Sequence, residues 1–428
     1  MSTPVLEGRR IMTDREKDAT GRGDDHPAAE PSHRFATRLS HLGRPGIRVH
    51  GFVNPPLHRG STVLAPSLAA RREASRHRYD QYLVYGLYGN ATHHALEDLL
   101  ADVEGGSRCQ IVSSGLAANC IGLLAFLRHG EHCLIPDSVY GPVRSFCKRV
   151  LAERNGIEVG HYRPDLGATE LEALLQPNTR VLYLESPGSH TFEVQDVSAL
   201  AGVARRRGIK VLMDNTWGLH FFQPFRHGVD VSIQALTKYA AGHADVLLGS
   251  LVTNDEENWH AVRDAALLHG QYASPDDCWL TLRGLRTLAV RLQHQMAAGL
   301  EVARWFAGRP EVLRVLHPAL PGSPGHELWK RDFSGACSLF GVVFRPAYRP
   351  EALDRMIERL RLFGIGASWG GFESLALPTY GNVVRSVASP DPGGPAVRFY
   401  IGLEDPADLM ADLAQGFEAL GAPPAAPA

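Results

Sequence analysis

Apolar and polar positions change period several times along the chain. The stretch YGLYGNATHHALEDLLADVEGG, residues 85–106, opens on a glycine-rich turn. It continues with Leu96, Leu99, Leu100 and Val103 at the spacing of an amphipathic helix. LAANCIGLLAFLRHG, residues 116–130, predicts another helix directly after the turn Ser113-Ser114-Gly115. Between about residues 95 and 255 such helices alternate with short apolar runs: VLYLE (181–185), VLMD (211–214), DVSIQ (230–234) and VLLGSLVT (246–253). A strand that is apolar on both faces is buried on both faces. The alternation therefore predicts an α/β fold with a large, mostly parallel sheet covered by helices on either side.

A long helical run, residues 279–308, leads into a second region of different character. There the strands SLFGVVFR and AVRFYIGLE mix with the helices PEALDRMIERLRLF and PADLMADLAQGFEAL, the pattern of a smaller α+β unit. The expected organisation is a disordered tail over 1–35, an N-terminal segment over 36–90, a large α/β domain over 91–290, an α+β domain over 291–420 and a flexible tail over 421–428. The boundary between the two main parts falls near 285–310, and no internal repeat is visible.

Composition narrows the function. Of 428 residues, 44% are apolar and 21% charged, as in ordinary globular proteins. A net charge of −2 gives no reason to expect a nucleic-acid or anionic-membrane partner. No apolar run approaches the ~18 residues of a membrane span. The charged N-terminus has no signal-peptide core, so a cytoplasmic location is expected. The six cysteines form no C-x-x-C pair and fit no zinc framework; they read as reduced, semi-buried side chains. His93 and His94 are adjacent and diverge on a helix, H-E-x-x-H is absent, and no metal is expected.

Open parallel sheets hold ligands beyond the carboxyl ends of their strands. Asp214 ends VLMD, and Lys238 lies just past DVSIQ. Alone, the two suit an ordinary ion pair. Alone, Ser113-Ser114-Gly115 suits an ordinary helix cap. Together they supply an anion pocket at a helix start, a buried carboxylate and a lysine, which are the parts needed to hold pyridoxal phosphate. A nicotinamide dehydrogenase is disfavoured, because no G-x-G-x-x-G follows a strand.

A collinear set of motifs goes further. NPPLHRGSTV, VLYLESPGSHTFEVQDV, VLMDNTWG, DVSIQALTKYAAGHAD, LRGLRTLAVRL, HPALPGSPGHELWKRDFSGA, SWGGFESL and VRFYIGLED follow in order, and the resemblance they carry covers about residues 35–420. They resemble the Cys/Met-metabolism pyridoxal-phosphate enzymes, and within that family the cystathionine β-lyase branch. The resemblance implies a fold-type I, aspartate-aminotransferase-like architecture, with the cofactor in the 91–290 domain and segment 36–90 against a neighbouring subunit. It implies that Lys238 attaches the cofactor covalently and then acts as acid and base, and that Asp214 pairs with the pyridine nitrogen. Tyr140 is to stack on the ring. Gly115 and Leu116 are to offer backbone N–H groups to the phosphate, and Thr237 its hydroxyl. Arg398 is to clamp the substrate α-carboxylate, with Ser368 and Trp369 lining the substrate side. Many relatives carry serine three positions before the lysine; here it is Ala235, and the bacterial β-lyases resemble this chain in having alanine there.

The implied activity is β-elimination of L-cystathionine or a related cysteine S-conjugate to a thiol, pyruvate and ammonia. Trp369 weighs against γ chemistry. Two alternatives stay open: another amino-acid substrate in secondary metabolism, with β- or γ-elimination or γ-replacement, and a regulatory protein that keeps the cofactor. The family pattern is a dimer or tetramer with shared sites.

One position departs from that pattern. The family's turn reads Tyr-Gly/Ser-Arg, and its tyrosine and arginine reach the neighbour's cofactor phosphate. Here Tyr85 is kept, but Leu87 holds the arginine position. A lost hydrogen bond to a charged group is worth ~1.5–3 kcal/mol, so weaker cofactor retention is expected. Arg59, Arg78 and His77 are the nearby basic residues that could compensate.

Overall fold

The computed structural model describes residues 32–44, 51–387 and 392–421, so the two expected tails lie almost wholly outside the described residues. The larger sheet has seven strands: β1 (Arg108–Val112), β2 (His132–Pro136), β3 (Glu158–Tyr162), β4 (Thr179–Glu185), β5 (Lys210–Asp214), β6 (Val231–Ala235) and β7 (Gly249–Thr253). Their order across the sheet is β1-β7-β6-β5-β4-β2-β3. The run from β6 to β3 is parallel, while β7 is antiparallel to both β6 and β1. Val181, Leu182, Tyr183 and Leu184 are all fully buried, which is the two-sided burial that their unbroken apolar run predicts.

The smaller sheet is antiparallel: β8 (Val312–Leu316), β9 (Leu339–Phe344), β10 (Leu375–Pro378) and β11 (Ala396–Tyr400), in the order β10-β11-β9-β8. Phe306, Phe340, Phe399 and Phe417 pack together in its core. Among the described residues no helix is long and apolar enough to cross a membrane.

Three elements differ from the sequence reading, each for a local reason. The run 246–253 forms a strand only from Gly249, because Leu248 instead exchanges hydrogen bonds with Thr237, its N–H meeting the hydroxyl at 3.0 Å. The long helical run is two helices, Pro275–Arg286 and Leu288–Ala307, broken at Thr287. There the Gly284 carbonyl accepts from the Thr287 hydroxyl at 3.1 Å and from the Arg291 guanidinium at 2.9 Å. The helix beginning at Pro350 stops at Arg359, because the Asp412 carboxylate accepts the N–H groups of Arg361 and Leu362.

Candidate active site

The site lies where β4, β5 and β6 end. Glu185 and Asp214, the last residues of β4 and β5, are register partners. Asp214 Oδ2 accepts from Asn119 Nδ2 at 3.1 Å, and Oδ1 accepts from the Thr216 N–H at 3.0 Å. Asn119 sits one turn inside the helix Gly115–Phe126, where the Tyr183 hydroxyl holds its own oxygen. Burial drives the Asp214 carboxyl upward, and its hydrogen bonds together with the Lys238 charge pull against that rise. Glu185 accepts from the Tyr140 N–H at 2.7 Å and from Ser189 Oγ at 2.6 Å. Burial first, and then the Asp214 charge, push its carboxyl up to about 8.

Lys238 follows β6 by three residues, and its Nζ donates to Ser368 Oγ at 2.7 Å. Arg398, on β11, donates from Nη2 to the Ser368 carbonyl at 3.0 Å. One residue of the segment preceding β10 thus meets both cations. Ser368 adopts φ 74°, and Gly370 adopts φ 91° with a would-be Cβ only 2.6 Å from the Lys238 carbonyl carbon, so the segment is pressed against the lysine's backbone. The Trp369 ring centre lies 5.4 Å from Lys238 Nζ. Burial, then Arg398, bring the Lys238 amine down to about 8, with Asp214 opposing. Burial brings the Arg398 guanidinium down to about 10.

The helix start beside these groups is a cradle. Ser114 caps it, its Oγ accepting from the Ala117 N–H at 3.1 Å. A Cβ on Gly115 would lie 2.4 Å from that of Ala235, so the helix can approach the end of β6 this closely only with glycine facing a small residue. The N–H groups of Gly115 and Leu116 have no protein partner among the described residues. Thr237 lies alongside, with its hydroxyl engaged by the Leu248 main chain. An anion-binding helix start, a buried carboxylate and an amine of lowered pKa fit a phosphate, a ring nitrogen and a carbonyl carbon, the three handles of pyridoxal phosphate.

The rim is different. Tyr140 is 41% exposed, Leu116 37% and Tyr85 48%. Tyr85 leads the single turn Gly86–Tyr88, apart from the Lys238 network, and Leu87 lies in that turn. The helix that follows the turn, Ala91–Glu104, is capped by Asn90, whose Oδ1 accepts from the Thr92 N–H at 3.0 Å. The three basic residues considered as replacements for arginine are engaged within the chain. Arg59 donates to Asp276 at 2.9 Å, Arg78 to Asp264 at 3.3 Å, and His77 lies 3.0 Å from Glu73.

The structure therefore gathers Lys238, Asp214, Arg398, Ser368, Trp369, Gly115, Leu116, Thr237 and Tyr140 from the sequence reading, and leaves Tyr85 on an exposed edge. Sequence reasoning missed Asn119 and Glu185. Glu185 had a usable signal, since it closes an apolar strand next to the one that Asp214 closes. Asn119 had a weaker one, a polar residue four positions after Gly115 in an otherwise apolar helix.

The description "Cys/Met metabolism PLP-dependent enzyme" matches residues 36–418. A "Putative cystathionine beta-lyase" of Rhizobium johnstonii is 46% identical over 390 residues, covering 90% of this chain and 96% of its own. The cystathionine beta-lyase MetC of Escherichia coli is 40% identical over 390 residues, covering 90% and 98%. The solved structure of metB from Corynebacterium glutamicum matches with a TM-score of 0.83 at 29% identity, over 91% of this chain and 100% of that one.

Proposed function

The chain belongs to the Cys/Met-metabolism PLP-dependent enzymes, and from that premise we propose that it is a carbon–sulfur lyase that eliminates a thiol from a cysteine S-conjugate such as L-cystathionine. The observation that carries the reading is the convergence on Ser368, whose hydroxyl receives the Lys238 amine at 2.7 Å and whose carbonyl receives the Arg398 guanidinium at 3.0 Å. A base and a carboxylate anchor are thereby held at one point, as chemistry at an amino-acid Cα requires.

Pyridoxal phosphate, when bound, supplies an electron sink for the carbanion at Cα. The chain supplies the rest. Gly115 and Leu116 N–H groups hold the phosphate at the helix start. Asp214, fixed by Asn119 and Thr216, keeps the proton on the ring nitrogen. Arg398 clamps the α-carboxylate, and its planar fork sets the direction of the Cα–H bond. Lys238, with an amine near 8, removes the Cα proton and delivers a proton to the departing sulfur. The C–H and C–S bonds break, the thiol leaves, and the released enamine takes up water to give pyruvate and ammonia.

Tyr85, 48% exposed, stands in the segment from 51 that also exposes Phe52, Val53, Leu64 and Leu68. An apolar surface of this kind supports self-association, with Tyr85 reaching a neighbour's cofactor and at least a dimer as the working unit. The deciding experiment is pyruvate release from L-cystathionine by the cofactor-saturated enzyme, with 2-oxobutyrate followed alongside. Pyruvate and homocysteine in equal amounts are expected. 2-Oxobutyrate in place of pyruvate, or racemised substrate without either keto acid, overturns the reading.

A further inference from the structure

The strands β2, β4 and β5 lie side by side, and two loops leave their ends towards the site: 137–140 after β2 and 186–194 after β4. The loops touch. The Ser189 N–H donates to the Ser138 carbonyl at 2.9 Å. A Cβ on Gly188 would lie 2.5 Å from that of Ser138, so only glycine permits so close an approach. Glu185 stands at the root of both loops and is buried. One carboxylate oxygen accepts the Tyr140 N–H at 2.7 Å, and the other accepts from Ser189 Oγ at 2.6 Å. Its neighbour in the register of the sheet is Asp214.

Tyr140 has little else to fix it. It precedes the short helix Gly141–Phe146, and its side chain makes no capping bond there. Its ring is partly exposed. Its carbonyl accepts the Arg144 N–H at 3.1 Å, a bond within that helix's own first turn. Among the described residues, the N–H held by Glu185 is therefore the hydrogen bond that ties Tyr140 to the sheet. The charges of Asp214 and Arg398 both act on the Tyr140 hydroxyl, so a shift of this backbone moves the ring within the site itself.

We propose that Glu185 is a positioning residue: by holding the Tyr140 N–H from the end of β4, it sets where the Tyr140 ring meets the cofactor ring, while Asp214 fixes the same ring from the end of β5. The inference rests on the reading that puts the cofactor here with Tyr140 against its ring. It adds the group that keeps the two in register.

The test uses the holoenzyme and substitutions of Glu185. Glu185→Gln keeps the length and a carbonyl oxygen for the Tyr140 N–H, and its amide can donate to Ser189 Oγ. Glu185→Asp keeps the acceptor but withdraws it by a methylene. Glu185→Met keeps much of the volume and removes the acceptor. The visible circular dichroism of the bound cofactor reports the direction of its ring against the aromatic beside it. That band should lose most amplitude with methionine, less with aspartate and least with glutamine. Cofactor loss on dialysis should quicken roughly three- to tenfold in Glu185→Met, the scale of a lost aromatic stack. A displacement of about an ångström costs up to about a hundredfold in rate, so kcat for pyruvate release from L-cystathionine should fall roughly ten- to a hundredfold. KM should stay within about threefold, because Arg398 is untouched. Glu185→Gln should recover most of kcat. In a Tyr140→Ala background, Glu185→Met should add nothing further to either the band or kcat. Cofactor absorbance and the thermal midpoint establish that each variant is folded and loaded; where methionine prevents folding, aspartate carries the same comparison.

A loaded Glu185→Met with the wild-type band and kcat, a glutamine variant as impaired as methionine, or an additive loss in the Tyr140→Ala background overturns the inference and leaves the lyase reading intact. A Tyr140→Ala protein with the wild-type band also overturns it, since the cofactor ring would then be seated by another group. A wild type that releases no pyruvate from L-cystathionine overturns the lyase reading alone, and the dichroism series then decides the role of Glu185.

Discussion

On the floor of the site, Lys238, Asp214, Glu185 and Arg398 each have a hydrogen-bond partner within the same chain; Ser368 joins Lys238 to Arg398, and Asn119 anchors Asp214. At the rim, Tyr85, Leu116 and Tyr140 stand 48%, 37% and 41% exposed. The floor is assembled from the ends of β4 and β5, the stretch just past β6 and the middle of β11, whose positions the sheets dictate, so folding alone places it. The rim is assembled from turns and the first residues of a helix, and on the proposed reading part of it comes from another copy of the chain. A substitution on the floor therefore strikes the base or the substrate clamp, whereas one at the rim changes how firmly the cofactor is retained.

The largest expected effect tests the floor. Lys238→Ala should lower pyruvate release by roughly a thousandfold, the scale of a lost acid–base group; a variant keeping a tenth of wild-type activity would place the base elsewhere. Arg398→Ala should come next. Losing a charge-assisted clamp should raise KM for L-cystathionine roughly ten- to a hundredfold, and an unchanged KM would assign the α-carboxylate to another group.

At the rim, Leu87→Arg should slow cofactor loss on dialysis roughly ten- to a hundredfold, by restoring a phosphate contact. Equal retention by both proteins would mean that the wild type already holds the phosphate as tightly. The smallest effect returns to the floor. In the cofactor-free protein the Glu185 carboxyl stands near 8, well above its unfolded value, so the folded state binds the extra proton. Its contribution is present below the unfolded pKa and is lost as pH rises towards 8. The thermal midpoint of the cofactor-free wild type should fall between pH 5 and 8, and Glu185→Gln should flatten that slope; identical slopes would place the proton on another group, such as Glu104, which also sits near 7.

The same contrast separates what was legible in the sequence from what was not. Asp214 and Lys238 were legible because each terminates or follows an apolar run, and strand ends are where open sheets bind ligands. The edge and flank strands β1, β2 and β3 were harder to see. RCQIV, HCLIP and EVGHY carry polar residues or proline, and their burial is supplied by neighbours distant in sequence. Asn119 was only faintly legible: it stands out as a polar residue in an apolar helix, but its partner Asp214 lies 95 positions away and nothing local marks the pair. The left-handed backbone at Ser368 and His190 was equally silent: no glycine or asparagine announces it, and tertiary contacts hold it there.

The break at Thr287 bears on how the two sheets communicate. The carbonyl freed at Gly284 is taken by the Thr287 hydroxyl and the Arg291 guanidinium, and a Cβ on Gly284 would collide with the Ala241 carbonyl oxygen at 2.1 Å. A bend filled in this way is a braced elbow and not a free joint. Ala241 lies three residues beyond Lys238, so the elbow bears directly on the loop that carries the lysine. The helix Leu288–Ala307 packs Phe306 on Phe399, the neighbour of Arg398 on β11, so the seat of Lys238 and the strand of Arg398 are braced by one packed frame.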